Sequence, residues 1–171
     1  GSSMDAVHQL SQAILAGDIN AGVAAGVEDM FGVPMGGFNP SFHPDLYEKE
    51  LYIGMGETAE NLAKDLGISR EDQESFAVLS HEKALAAIKA DRFANEIIPV
   101  DINGTSVEQD EGPRNPNIEK IKSLEPAFDV EGSITAATSS PISIGAAAAI
   151  VMEKAKAEEL GITPKFKILA R

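Results

Sequence analysis

Residues 145–152 read Gly-Ala-Ala-Ala-Ala-Ile-Val-Met, and the assignment of this run decides the fold. An unbroken apolar stretch has no period, so pattern alone leaves strand and helix open. The run is short, and residues 153–160 after it have helical character and end at Gly161. A buried strand followed by a short helix is expected. Further out, 166–169 reads as a final strand and 133–137 has strand character.

The start of the chain has the same texture. Residues 19–27, Ile-Asn-Ala-Gly-Val-Ala-Ala-Gly-Val, are small and apolar and fit a buried strand with close neighbours. Before them, Met4, Val7, Leu10 or Ser11, and Ile14 recur at helical spacing, and Gly17 supplies a C-cap. Between these ends the chain is more polar. Residues 31–50 are rich in Gly, Pro, Asn and Asp and read as loop and boundary. Residues 57–66 form a short helix closed by Gly67. Ser69 caps the next helix, 70–90, with Asp72 at its third position. Phe76, Leu79, Lys83 or Ala84, and Ala87 or Ile88 form its expected inner stripe. Residues 96–100 read as a weak strand, and 103–117 as a polar loop carrying Asp110, Glu111 and Arg114. The whole is α/β at both ends with a helical insert between them.

Composition narrows the function. The 171 residues are 43% hydrophobic and 24% charged, a balance that fits a globular chain. Asp and Glu number 27 against 14 Lys and Arg, for a net charge of -13. That charge argues against non-specific nucleic-acid binding and against an anionic membrane surface. An anionic ligand would need a local basic spot. There is no Cys, hence no disulfide and no thiol nucleophile within these residues. His8, His43 and His81 lie far apart, without metal-ligand spacing. No apolar run reaches the roughly 20 residues of a membrane span, and no signal peptide is visible, so a cytoplasmic protein is the default.

Several stretches resemble the thiolase family. Gly1-Ser2-Ser3-Met4 resembles the segment after the family's nucleophilic Cys, and Ala25-Gly26-Val27-Glu28-Asp29-Met30 is similar to Gly-Gly-x-Glu-x-Met. Met55-Gly56-Glu57-Thr58-Ala59-Glu60-Asn61 matches Met-Gly-x-Thr-Ala-Glu-Asn. Ser69-Arg70-Glu71-Asp72-Gln73-Glu74-Ser75-Phe76-Ala77 matches Ser-Arg-Glu-x-Gln-Asp-x-Phe-Ala. Asp110-Glu111 with Arg114, and the stretch from Phe128 to Ala149, follow in family order. The match is nearest to degradative 3-ketoacyl-CoA thiolases of fatty-acid β-oxidation.

The resemblance implies part of a layered α/β/α/β/α fold with a mainly helical inserted loop subdomain. Residues 1–30 would belong to the N-terminal half and 31–133 to the insert. Residues 134–171 would return to the N-terminal half and begin the C-terminal one. It implies acyl transfer between 3-ketoacyl-CoA and CoA in a homo-oligomer. The nucleophilic Cys would stand just before Gly1, and the remaining catalytic motifs beyond Arg171. No catalytic residue is therefore expected within the chain, and a non-catalytic CoA-binding module is the alternative. A Cys at that place would sit at a helix N-terminus, which lowers a thiol pKa.

For coenzyme A, a substrate rather than a bound cofactor, the resemblance implicates Met55, Arg114, Phe128, Ala136 and Ser140. Arg114 would meet phosphate, or else pair with Asp110 or Glu111. Phe128 would pack on adenine or pantetheine, or else anchor the subdomain. Ser140 would bond a pantetheine amide, and Met55 and Ala136 would line its tunnel. Two positions depart from the pattern. Gly54 stands where some thiolases have His, and Ile144 where the family usually has Asp.

Overall fold

The computed structural model describes residues 1–33 and 39–170, so the expected loop at 31–50 lies partly outside the described residues. The chain divides into two compact units, Gly1–Pro40 with Ile142–Arg171, and Ser41–Pro141. The second unit overlaps the insert expected at 31–133 over residues 41–133.

In the first unit, helix α1 (Ser2–Ala16) covers Val7, Leu10, Ser11 and Ile14, the stripe read from its spacing, while Met4 stays 63% exposed. Gly17 ends it at φ 82°, its N–H returning to Ile14 O. Strand β1 (Ala21–Asp29) pairs antiparallel with β4 (Ile144–Met152), from Ala21↔Met152 to Asp29↔Ile144. Helix α6 (Lys154–Glu159) follows and buries Ala157.

Alternate residues of β1 turn toward α1. Gly22 lies against the Leu10 side chain and Gly26 against Ser3, and Ala24 between them is buried. Small residues on this face let the helix approach closely. Val23, Val27 and Ile150 are each more than 60% exposed. The expectation of buried strands at 19–27 and 145–152 is thus corrected: the strands form, but β4 is exposed along most of its length. A two-stranded ribbon with one helix has only one face to bury. The strand expected at 166–169 does not form, and Phe166 is 93% exposed, because no neighbouring strand pairs with it.

In the second unit, α2 (Pro44–Tyr47), α3 (Met55–Leu66), α4 (Arg70–Lys89) and α5 (Ile118–Lys122) accompany a hairpin of β2 (Val100–Ile102) and β3 (Thr105–Val107). His43, without a role in the sequence reading, caps α2 through Nδ1, which accepts from Asp45 N. Ser69 Oγ accepts from Asp72 N at 3.1 Å, the cap read from the sequence. The hairpin corrects two expectations. Its first strand begins at Val100 rather than ending there, and the loop expected at 103–117 contains the second. Asn103 and Gly104 occupy the two turn positions at φ 53° and 84°, as a two-residue hairpin loop demands.

The stripe of α4 is covered where expected at Ala84, Ala87 and Ile88 but not in its first half. Phe76 is 74% exposed and Leu79 44%. In the first half the covered residues are instead Arg70, Gln73, Glu74, Ala77 and Val78, because Glu74 and Gln73 find partners inside the unit. Strand character at 133–137 reduces to one bridge, Pro126↔Thr135.

Candidate functional site

The site is built on the first turns of α3 and α4 and on the segment 126–141 that returns to them. At α3, Glu57 accepts from Gly54 N at 2.7 Å, and Thr58 Oγ1 donates to Gly54 O. Gly54, the first departure from the family pattern, is the N-cap. It has no side chain to cap with, so Glu57 supplies the bond from inside the helix.

The ring of Phe128 fills the space a side chain at Gly56 would take. This explains a glycine inside a helix, a position that ordinarily disfavours it. Phe128 itself is 49% exposed, and Met55, next to Gly56 in the chain, is 76% exposed at the helix start. Two of the five implicated residues are thus brought to one end of α3.

One turn further, the Glu60 carboxylate receives the returning chain. Its oxygens accept from Ser133 N at 2.9 and 3.0 Å, from Ile134 N at 2.8 Å and from Ser133 Oγ at 3.3 Å. From α4, Gln73 Nε2 donates to Ser133 Oγ at 3.0 Å. Beyond this clamp the chain ties itself into a turn. Thr135 is fully buried, its N–H donates to Thr138 Oγ1, and its carbonyl accepts from Ser139 Oγ at 2.8 Å. Ala136 and Ser140, on this turn, are exposed. Glu60 and Gln73 were read only as motif letters; their positions in two matched motifs were the available signal.

A second clamp forms at the same, N-terminal end of α4. Arg70 Nε donates to Glu74 Oε1 at 2.7 Å, and Nη2 donates to Leu124 O at 2.6 Å and Lys122 O at 3.3 Å. The guanidinium thus meets the last carbonyl of α5 and that of Leu124 just beyond it, while pairing with a carboxylate that is 8% exposed.

Between α4 and the turn runs a groove of about 630 Å³, lined by Gln73, Phe76, His81, Ile134, Thr138 and Ser140 among others. Ser140 is the one implicated residue on its wall; Met55, Phe128 and Ala136 lie outside it. Arg114 is exposed, and its main-chain N–H donates to His81 Nδ1 at 3.3 Å. Among the described residues Arg114 makes no ion pair with Asp110 or Glu111; the ion pairs are Arg70–Glu74, Lys154–Glu158 and Lys156–Glu159. Ile144, the second departure, opens β4 opposite Asp29, whose carboxylate accepts from Phe31 N and Gly32 N instead. No helix among the described residues is long and apolar enough to cross a membrane.

A mixed α/β unit whose chain leaves for a mainly helical insert and returns through a clamped turn defines the class. The N-terminal domain model of the thiolases matches residues 1–155, and the chain belongs to the thiolase family. It is 44% identical over 177 residues to a 3-ketoacyl-CoA thiolase of Shigella sonnei (strain Ss046), covering 98% of this chain and 46% of that protein. It is 39% identical over 182 residues to a 3-ketoacyl-CoA thiolase of Bacillus subtilis (strain 168), covering 97% and 46%. The dimeric peroxisomal thiolase of Saccharomyces cerevisiae superposes with a TM-score of 0.83 at 35% identity, over 94% of this chain and 43% of that one. An acetyl-CoA acetyltransferase from Syntrophomonas wolfei gives 0.80 at 34%, over 95% and 45%. The chain thus spans less than half the length of these relatives.

Proposed function

We propose that the protein carrying this chain is a thiolase that exchanges acyl groups between 3-ketoacyl-CoA and CoA. In the degradative direction a cysteine thiolate attacks the 3-keto carbon and the C2–C3 bond breaks. Acetyl-CoA leaves after its C2 carbanion is protonated. The acyl group, held as a thioester on the cysteine, then passes to the thiol of CoA. The condensation is the reverse.

The observation that carries this reading is the meeting of separate family motifs in one unit. Glu60 of the first motif and Gln73 of the second hold Ser133 of the third. The first unit supports the chemistry at its helix start. The opening N–H groups of α1 have no side-chain cap, so a cysteine placed just before Gly1 would have its thiolate stabilised there. Arg114 would take a phosphate of CoA, Phe128 would pack on its adenine or pantetheine, Met55 and Ala136 would line the pantetheine tunnel, and Ser140 would bond a pantetheine amide. The bare face of β1 and β4 fits a sheet that the remainder of the protein covers, and the dimeric yeast neighbour supports a homo-oligomer.

The deciding assay is thiolysis of a 3-ketoacyl-CoA by the full-length protein, following the substrate and both CoA products. Turnover that depends on added CoA supports the reading. Tight CoA binding without any thioester exchange sinks it and leaves a CoA-binding module.

A further inference from the structure

The turn at 135–140 is tied to itself more thoroughly than to the helices around it. Five hydrogen bonds converge on Thr135: from its N–H to Thr138 Oγ1, from Thr138 N, Thr138 Oγ1 and Ser139 Oγ to its carbonyl, and from Ala137 N to its Oγ1. A turn built this way keeps its shape but does not fix its own place. Its bonds outward run through Ser133 and Ile134. One is the bridge to 126–127, in which Ala127 N donates to Ile134 O. The others go to Glu60, supported by Gln73.

We infer that Glu60 is a positioning residue for coenzyme A, which sets where Ala136 and Ser140 stand without touching the ligand. This rests on the proposed thiolase reading for the ligand, and on geometry alone for the positioning. Two successive N–H groups, of Ser133 and Ile134, point at one carboxylate. That arrangement suits an acceptor with two equivalent oxygens and suits an amide poorly, since a glutamine NH₂ would face an N–H donor. Gly132 leaves the room, because a Cβ there would collide with the Glu60 carboxylate.

The test compares Glu60→Gln with the unaltered full-length protein by amide hydrogen exchange and by CoA titration calorimetry. The charge-assisted bonds lost correspond to about a tenfold change in an equilibrium constant. Exchange over 133–139 should therefore speed by about tenfold while α3 and α4 keep their protection, and CoA affinity should fall by about the same factor. In Glu60→Gln with Ser140→Ala, the two losses should be less than additive, because one change undoes the placement the other needs. Gly132→Ala, which displaces the carboxylate from the loop side, should give the same local signature if Glu60→Gln does not fold. Unchanged exchange over 133–139 overturns the inference, as does faster exchange throughout Ser41–Pro141, which would make Glu60 a general stabiliser. If the unaltered protein does not bind CoA, the thiolase reading fails, and the exchange pattern alone still decides the positioning role.

Discussion

Phe128 and Gly56 occupy one another's space: the ring stands where a Cβ on the helix would be. The two residues belong to motifs more than seventy positions apart, and their contact fastens the return segment to the start of α3. In an open helix, Gly→Ala stabilises by about 0.8–1 kcal/mol. At Gly56 the overlap with Phe128 opposes that gain and costs about 1–3 kcal/mol. Gly56→Ala should therefore lower the stability of the insert, and Gly56→Ala with Phe128→Ala should recover part of the loss. Urea unfolding of the three proteins decides it; a more stable single variant would show that the ring moves aside freely.

Arg70 should matter more than its half-buried position at a helix start suggests. Replacing it by Met removes the bonds to Leu124 and Lys122 and leaves Glu74 without its cation. The expected loss is about 1.5–3 kcal/mol, the range for hydrogen bonds to charged groups. Glu74→Leu in addition removes the stranded carboxylate and should restore stability. A double-mutant cycle on the urea midpoint reads the coupling, and purely additive losses would sink it.

Gly104 sits at φ 84° in the two-residue turn between β2 and β3. An alanine there takes up a left-handed conformation that costs about 1–2 kcal/mol. Amide exchange at Val100–Ile102 and Thr105–Val107 should quicken while α4 is unaffected. Equal slowing or quickening across both elements would mean the hairpin does not open by itself.

Arg114 is exposed and, on the proposed reading, meets a phosphate of CoA. Arg114→Gln should weaken CoA binding by about tenfold and flatten its salt dependence. Dephospho-CoA, lacking the 3′-phosphate, separates two possibilities. If the variant loses affinity for CoA alone, the guanidinium meets that phosphate. If it loses affinity for both, it meets the pyrophosphate. No loss for either removes Arg114 from the site.

Local chemistry was legible in the residues. Ser69 and Gly17 were read as caps and act as caps, and the stripe of α1 lies where its spacing put it except at exposed Met4. These depend on groups within a turn or two of each other. The shift in the first half of the α4 stripe was not legible, because Gln73 and Glu74 are covered by partners about fifty to sixty residues away, Ser133 and the Arg70–Leu124 clamp. The Asn103-Gly104 turn was legible in principle: an Asn-Gly pair between apolar residues is a hairpin signal that the polar surroundings masked.

By itself, the sequence determined the α/β character, the order of the main helices and strands, and the family, all of which rest on patterns of residue type along the chain. Only the tertiary structure decided which motif letters hold the site and which face outward. Glu60 looks like one solvated carboxylate among 27 acidic residues until the fold brings Ser133 and Ile134 to it. Burial was decided the same way: β4 is as apolar as any core strand, yet its exposure depends on what packs against it, which its own residues do not encode.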